Sequence, residues 1–241
     1  MQELRLKAMQ GLPTNTTANL LVAHNLVCRR GQSLLFADLS FSLAAGEMLF
    51  VQGENGSGKT TLLRSLCGLS SLVKGSITWR GKELEELTSQ DWQDWLYLGH
   101  KDGLKEELSP LENLLFWQGL RGNKPDEAAS IQALHRAGLR GKELLAVRYL
   151  SQGQRRRAAL ARLLLNAPLI WVLDEPLAAL DVNSTQWLSD ILAEHLAAGG
   201  LILATSHQPF ASCLQPKTVQ VDAVSAKSKT ASYSGANSHV A

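Results

Sequence analysis

Apolar positions along the chain come in short bursts. Residues 20–28, 34–43 and 48–52 are strand-length apolar stretches, and Gly31 and Gly46 punctuate them as turns do. Residues 75–81 form a further strand-like stretch between Gly75 and Gly81. Residues 59–66, directly after a glycine-rich stretch, fit a helix. The middle of the chain changes period. Ser109-Pro110-Leu111-Glu112 is a capping box, with serine at the N-cap, proline in the first turn and glutamate placed to reach back. It predicts a helix through Leu120, and residues 125–137 carry a second helical pattern. After Leu150 the predicted order is helix 154–165, strand 169–173, helix 184–198 and strand 201–205. In the last of these helices Trp187, Leu188, Ile191, Leu192 and Leu196 share one face, and Gly199-Gly200 ends it. Such alternation predicts an α/β fold with a parallel sheet covered by helices.

The two ends differ from this body. Residues 1–18 mix polar side chains with Gly11 and Pro13 and read as a flexible arm, while residues 222–241, rich in Ala, Ser and Lys, read as a disordered tail. The body, residues 19–221, is one elaborated domain, and no internal repeat interrupts it. With 45% hydrophobic residues among 241, the chain can bury a full core. Its 24 basic and 22 acidic side chains nearly cancel, so net charge gives no reason to expect nucleic acid as a partner. No apolar run approaches the ~20 residues that cross a bilayer. Cys28, Cys67 and Cys213 lack metal-like spacing, and an odd count without a secretion signal reads as reduced thiols in the cytosol.

Chemistry concentrates in a few places. Gly53-Glu54-Asn55-Gly56-Ser57-Gly58-Lys59-Thr60, followed by Thr61, fits G-x-x-x-x-G-K-[ST] and lies between a predicted strand and a predicted helix. There the glycines let backbone N–H groups converge on phosphate oxygens, Lys59 bridges the β- and γ-phosphates, and Thr60 holds Mg²⁺. Residues 169–173 are apolar without a break, as a strand buried on both faces should be, and they end in Asp174-Glu175. Two carboxylates leaving a buried strand call for a cation or a proton transfer. Asp174 is the candidate for Mg²⁺ and Glu175 for general base toward water.

Leu150-Ser151-Gln152-Gly153-Gln154 narrows the class, because it resembles the signature peptide of ABC ATPases, with Gln152 where a second glycine is usual. Ser151, Gly153 and Gln154 at a helix start make a second phosphate site. Its distance along the chain from the first loop suggests action in trans, on nucleotide held by a second copy. The arginine run that follows, residues 155–162, reads in isolation as a solvated helix face. The resemblance covers about residues 20–221 and further implies that Asp181 lies in the loop coupling two ATP sites, and that His207 is the switch histidine on the γ-phosphate. It implies an ABC-type P-loop ATPase domain: a RecA-like core, an antiparallel β subdomain, and a helical subdomain inserted at about residues 100–150. It also implies an ATP-sandwich dimer.

Two positions depart from the family pattern. The slot of the usual Mg²⁺-ligating glutamine, about nine residues before Ser109, holds His100, whose imidazole can still offer a nitrogen to metal or water. The slot of the usual base-stacking aromatic falls at Arg29-Arg30, and Arg30 is the candidate to stack there instead. The Gly99-His100 segment and the stretches 61–69, 111–117 and 205–209 are similar to the ATPase subunits of cytochrome c maturation transporters, the CcmA type. That resemblance implies a CcmB-like membrane subunit, CcmC- and CcmE-like proteins in the same complex, and a peripheral place on the cytoplasmic face of the bacterial inner membrane. No Cys-x-x-Cys-His is present, so haem would pass through the partner. Other readings compete: the ATPase subunit of another small-substrate transporter, and two readings outside transport. A soluble ABC protein of translation or DNA repair usually carries two ATPase domains or a long coiled coil. A regulator that binds ATP without turnover is opposed by the presence of Lys59, Asp174, Glu175 and His207, while the departures at His100 and Gln152 keep that reading open.

Overall fold

A computed structural model describes residues 19–165 and 168–221. The expected arm and tail lie outside the described residues. Two sheets form the frame. In the first, β1 (Leu21–Arg30), β2 (Ser33–Leu43), β4 (Lys74–Trp79) and β5 (Lys82–Glu83) run antiparallel in the order β2-β1-β4-β5. In the second, β3 (Met48–Gln52), β6 (Trp95–Leu98), β7 (Ile170–Asp174), β8 (Leu201–Thr205) and β9 (Lys217–Gln220) are parallel in the order β6-β7-β8-β3-β9.

The strand period explains why the parallel sheet reads as unbroken apolar sequence. Alternate residues of β7 point to opposite faces. Ile170 and Val172 enter a core shared with the antiparallel sheet, among Leu21, Phe36 and Trp79, whereas Trp171 and Leu173 enter a core shared with the helices. Strand β8 divides the same way, with Leu201 and Leu203 on one side and Ile202 and Ala204 on the other. A sheet buried on both faces has no polar positions to spare, which leaves chemistry to its ends.

Helix α1 (Lys59–Leu66) follows β3 and buries Leu62, Leu63 and Leu66. Between β6 and β7 the chain makes α2 (Pro110–Leu120), α3 (Glu127–Arg136) and α4 (Gln152–Leu160), and α5 (Val182–Ala197) links β7 to β8. The capping box of α2 forms as expected. Ser109 Oγ accepts from Glu112 N at 3.2 Å and Ser109 N donates to Glu112 Oε2 at 2.7 Å. The predicted face of α5 is real: Leu188, Ile191 and Leu192 are buried, with Trp187 and Leu196 packed beside them.

Helix α4 departs from expectation at both ends. It begins two residues earlier, because Ser151 and Gln154 form a reciprocal capping box, and after Leu160 it tightens into a 3₁₀ turn over Ala161–Leu164. The region entered at His100 carries the two helices its sequence pattern predicts, α2 and α3, and a 3₁₀ turn, Val147–Tyr149, before Leu150.

Candidate active site

The phosphate loop is a product of backbone geometry. Gly53 has φ +150°, and a Cβ there would sit 2.2 Å from Val221 O and 2.7 Å from Ser57 Oγ. Gly58, at φ +109°, is the N-cap of α1 and supplies no side-chain cap, so the first N–H groups of the helix stay available to an anion. Lys59 Nζ donates to Gly53 O at 2.7 Å and Glu54 O at 3.0 Å, which folds the ammonium across the loop mouth.

The end of β7 meets this loop from the side. Thr60 Oγ1 donates to Asp174 Oδ2 at 2.9 Å, and Thr205 Oγ1, from the paired end of β8, donates to Asp174 Oδ1 at 2.8 Å. Asp174 is buried, and both of its oxygens therefore have a partner. The next residue turns sharply, since Glu175 has φ +53°. Its N–H donates to Thr205 Oγ1 at 3.0 Å, and its Oε2 accepts from His207 N at 3.0 Å. His207 Nε2 stands 3.7 Å from Glu175 Oε1. Tyr97, on the neighbouring strand β6, is held as a neutral phenol: burial, with Asp174 adding to it, pushes its hydroxyl up to about 12.

These groups open on a cleft of about 320 Å³. Asn55, Gly56, Gly58, Lys59, Thr60 and Thr61 line it from the loop; Asp174, Glu175 and His207 line it from the strand ends; Arg30 and His100 complete the wall. Gly53, Glu54 and Ser57 of the same loop do not line the cleft: Ser57 is fully buried, and Gly53 and Glu54 contribute carbonyls to Lys59. Ser151, Gly153, Gln154 and Asp181 are not part of this wall. The Ser151 hydroxyl accepts from Gln154 N at 3.2 Å, Asp181 caps α5 by accepting from Ser184 N at 2.7 Å, and Gly153 packs on the backbone of Ala179. Within one chain, then, residues 151–154 do not line the cleft at the phosphate loop.

The donor set fits a magnesium nucleotide. Space above Gly56 is open, with nothing within 4 Å of a built Cβ. Among the described residues no cluster of three or more His, Cys, Asp or Glu could hold a metal alone. A hydroxyl and a carboxylate at 2.9 Å suit an ion that keeps waters and takes its remaining oxygens from phosphates.

One expectation is overturned. The arginine run of residues 155–162 is not a solvated face: Arg156 in α4 and Arg162 in the 3₁₀ turn after it are 4% and 8% exposed. Arg156 donates to Glu175 O at 2.7 Å and Asp102 Oδ1 at 2.9 Å, while Arg162 donates to Gly103 O at 2.8 Å and Asp102 O at 3.2 Å. Burial lowers Arg162 to about 10, so it remains a cation at neutral pH. Charge runs suggest solvent because burying charge is costly, but carbonyls and one carboxylate partner the terminal nitrogens of these two, with the buried Nε of each left without a hydrogen bond. Thr205, Arg156 and Asp102 are the residues that sequence reasoning missed. The single available signal was Thr205 ending an apolar strand just before His207.

Fold and site together define a P-loop nucleoside triphosphatase. The family model for ABC transporters matches residues 36–178, and the chain belongs to that family. Its members bind and hydrolyse ATP, and so this chain is an ATP-binding ATPase. It is 50% identical over 190 residues to the cytochrome c biogenesis ATP-binding export protein CcmA of Nitrosomonas europaea, covering 78% of this chain and 89% of that protein. The CcmA proteins of Dechloromonas aromatica and Yersinia pestis are 49% and 47% identical, again over 78% of this chain and over 93% and 86% of theirs. Among solved structures, an ABC transporter ATP-binding protein from Pyrococcus furiosus superposes with a TM-score of 0.72 at 24% identity, over 83% of this chain and 96% of that one. The ATP-binding subunit of another ABC transporter gives 0.73 at 24% identity, over 84% and 85%. At that identity the likeness concerns the fold. No helix among the described residues is long and apolar enough to cross a membrane.

Proposed function

We propose that this chain is the CcmA-type ATPase subunit of a membrane complex in c-type cytochrome biogenesis. It works as an ATP-sandwich dimer, held on the cytoplasmic face of a bacterial inner membrane by a CcmB-like subunit, with CcmC- and CcmE-like proteins in the same complex. The helical insertion is the part that docks the membrane subunit. The pathway follows from the likeness to CcmA proteins at up to 50% identity. The chemistry rests on one observation: the Glu175 carboxylate is held by His207 at the edge of a cleft walled by Lys59, Thr60 and Asp174.

In this reading the loop N–H groups and Lys59 bind the β- and γ-phosphates, and Thr60 and Asp174, with His100 at the rim, would hold Mg²⁺. Mg²⁺, when bound, would neutralise charge on the phosphates. Glu175 accepts a proton from water as that water attacks the γ-phosphorus, the bond from that phosphorus to the β–γ bridging oxygen breaks, and ADP leaves with the electron pair; His207 orients Glu175 while its ring faces the γ-phosphate. Arg30 contacts the base. Ser151, Gly153 and Gln154 complete the partner copy's site and Asp181 joins the two sites. The work done on the membrane side is haem export or the release of a haem-loaded chaperone.

The test is Glu175→Gln expressed in cells whose own copy is deleted. Holo-cytochrome c should disappear while the variant traps its membrane subunits in a pull-down. Normal holo-cytochrome c, with an unrelated membrane protein attached, would sink the pathway and leave the ATPase standing.

A further inference from the structure

Glu175 stands in a backbone conformation that side chains rarely adopt, at φ +53°. Something must hold it there. On one side its N–H donates to Thr205 Oγ1 at 3.0 Å; on the other its carbonyl accepts from Arg156 Nη2 at 2.7 Å. The same nitrogen reaches Asp174 O at 3.3 Å, so one guanidinium edge spans the peptide that joins the two carboxylate residues. Its other edge points elsewhere: Nη1 donates to Asp102 Oδ1 at 2.9 Å and, more weakly, to Gly99 O at 3.4 Å. Asp102 lies two residues after His100 on the segment that enters the helical insertion, and Arg162 holds the backbone of that segment as well. The Arg156 side chain is 5% exposed, and Asp102 is the one carboxylate that forms an ion pair with it among the described residues.

We infer that Arg156 is a positioning residue for hydrolysis. It keeps Glu175 in its left-handed conformation through the carbonyl, and through Asp102 it makes that hold depend on segment 99–103. The inference rests on the reading of Glu175 as general base. Only arginine suits the task, because a planar fork of donors can serve two carbonyls on one edge and a carboxylate on another, whereas a lysine ammonium is a point charge. Without the fork, the turn at Glu175 is free to relax and its carboxylate to leave His207. Removing Asp102 instead leaves the buried cation uncompensated and loosens the same grip. Arg156 sits in the second turn of α4, the helix that Ser151 opens. A shift of that helix with the insertion would thus reach this chain's own general base.

The experiment uses the full chain in the membrane complex it purifies with. ATP turnover is measured with nucleotide affinity, from the fluorescence of an N-methylanthraniloyl ATP, for native protein, Arg156→Lys and Asp102→Ala. Arg156→Lys should lower kcat by about tenfold to a hundredfold, the scale of a small misplacement of a catalytic group, while KM and nucleotide affinity stay within about twofold. In single turnovers, Arg156→Lys added to Glu175→Gln should cost almost nothing more, because both changes remove one function. An unchanged kcat in Arg156→Lys, or losses that multiply in the double variant, overturns the inference. If Arg156→Lys does not fold, Asp102→Ala takes its place with the same readout, and an unchanged kcat there overturns the inference equally. If native complex and Glu175→Gln hydrolyse ATP equally, the reading of Glu175 itself falls, which is a different result.

Discussion

Thr205 shows how much a single hydroxyl can carry at this site. It is fully buried at the end of β8, donates to Asp174 and accepts from the Glu175 N–H. Valine would keep the shape and remove both bonds, stranding a carboxylate oxygen and an N–H away from water. Thr205→Val should therefore lower stability by about 2 kcal/mol and reduce turnover, with Thr205→Ser restoring most of both. Urea unfolding and ATPase rates check the two halves separately. The phosphate loop, Asp174 and Glu175 were legible in the sequence because glycine spacing and carboxylates at the end of an apolar run are local signals, and His207 was legible through the resemblance to ABC ATPases. Thr205 and Arg156 were not. A threonine that ends a strand and an arginine in a polar run acquire meaning only through strand register and through the carbonyls that surround them.

Among the elements, α2 depends on a residue that periodicity would count as misplaced. Asn113 is 2% exposed, yet it fills a polar role: its Oδ1 accepts from Lys105 N at 2.8 Å, and its Nδ2 donates to Lys105 O at 3.0 Å and Ser109 O at 2.9 Å. It pins the loop before the helix onto the first turn. Asn113→Ala removes these bonds from a buried position and should lower stability by about 2 kcal/mol, leaving ATP affinity unchanged because Asn113 is not part of the cleft wall. Thermal unfolding with and without ATP reads both. Long periodic helices and the doubly buried strands β7 and β8 were evident from sequence. Strands β5, β6 and β9 were not, since β5 and β6 are only two and four residues long, and β9, Lys217–Gln220, is polar and pairs on one side only. The start of α4 was misplaced because the reciprocal bonds of Ser151 and Gln154 extend the helix back over Gln152 and Gly153.

For the whole molecule, what matters is that residues 151–154 lie outside the cleft of their own chain. Ser151 and Gln154 cap their own helix and Gly153 packs on Ala179, so none of them joins the cleft of the chain that carries them. If two copies pair head to tail, each site takes a phosphate loop from one chain and a signature peptide from the other. Lys59→Ala then disables the site a chain binds, and Gly153→Asp disables the site it completes. Either variant alone should be inactive. An equal mixture forms mixed dimers in about half of cases, each with one composite site intact, so activity should return to about a quarter of native if sites fire independently. Measured by phosphate release after mixing, that recovery cannot arise from two sites that are each confined to one chain, because no chain in the mixture carries both native elements. A Gly153→Asp homodimer with native activity would instead place the signature peptide outside the reaction altogether.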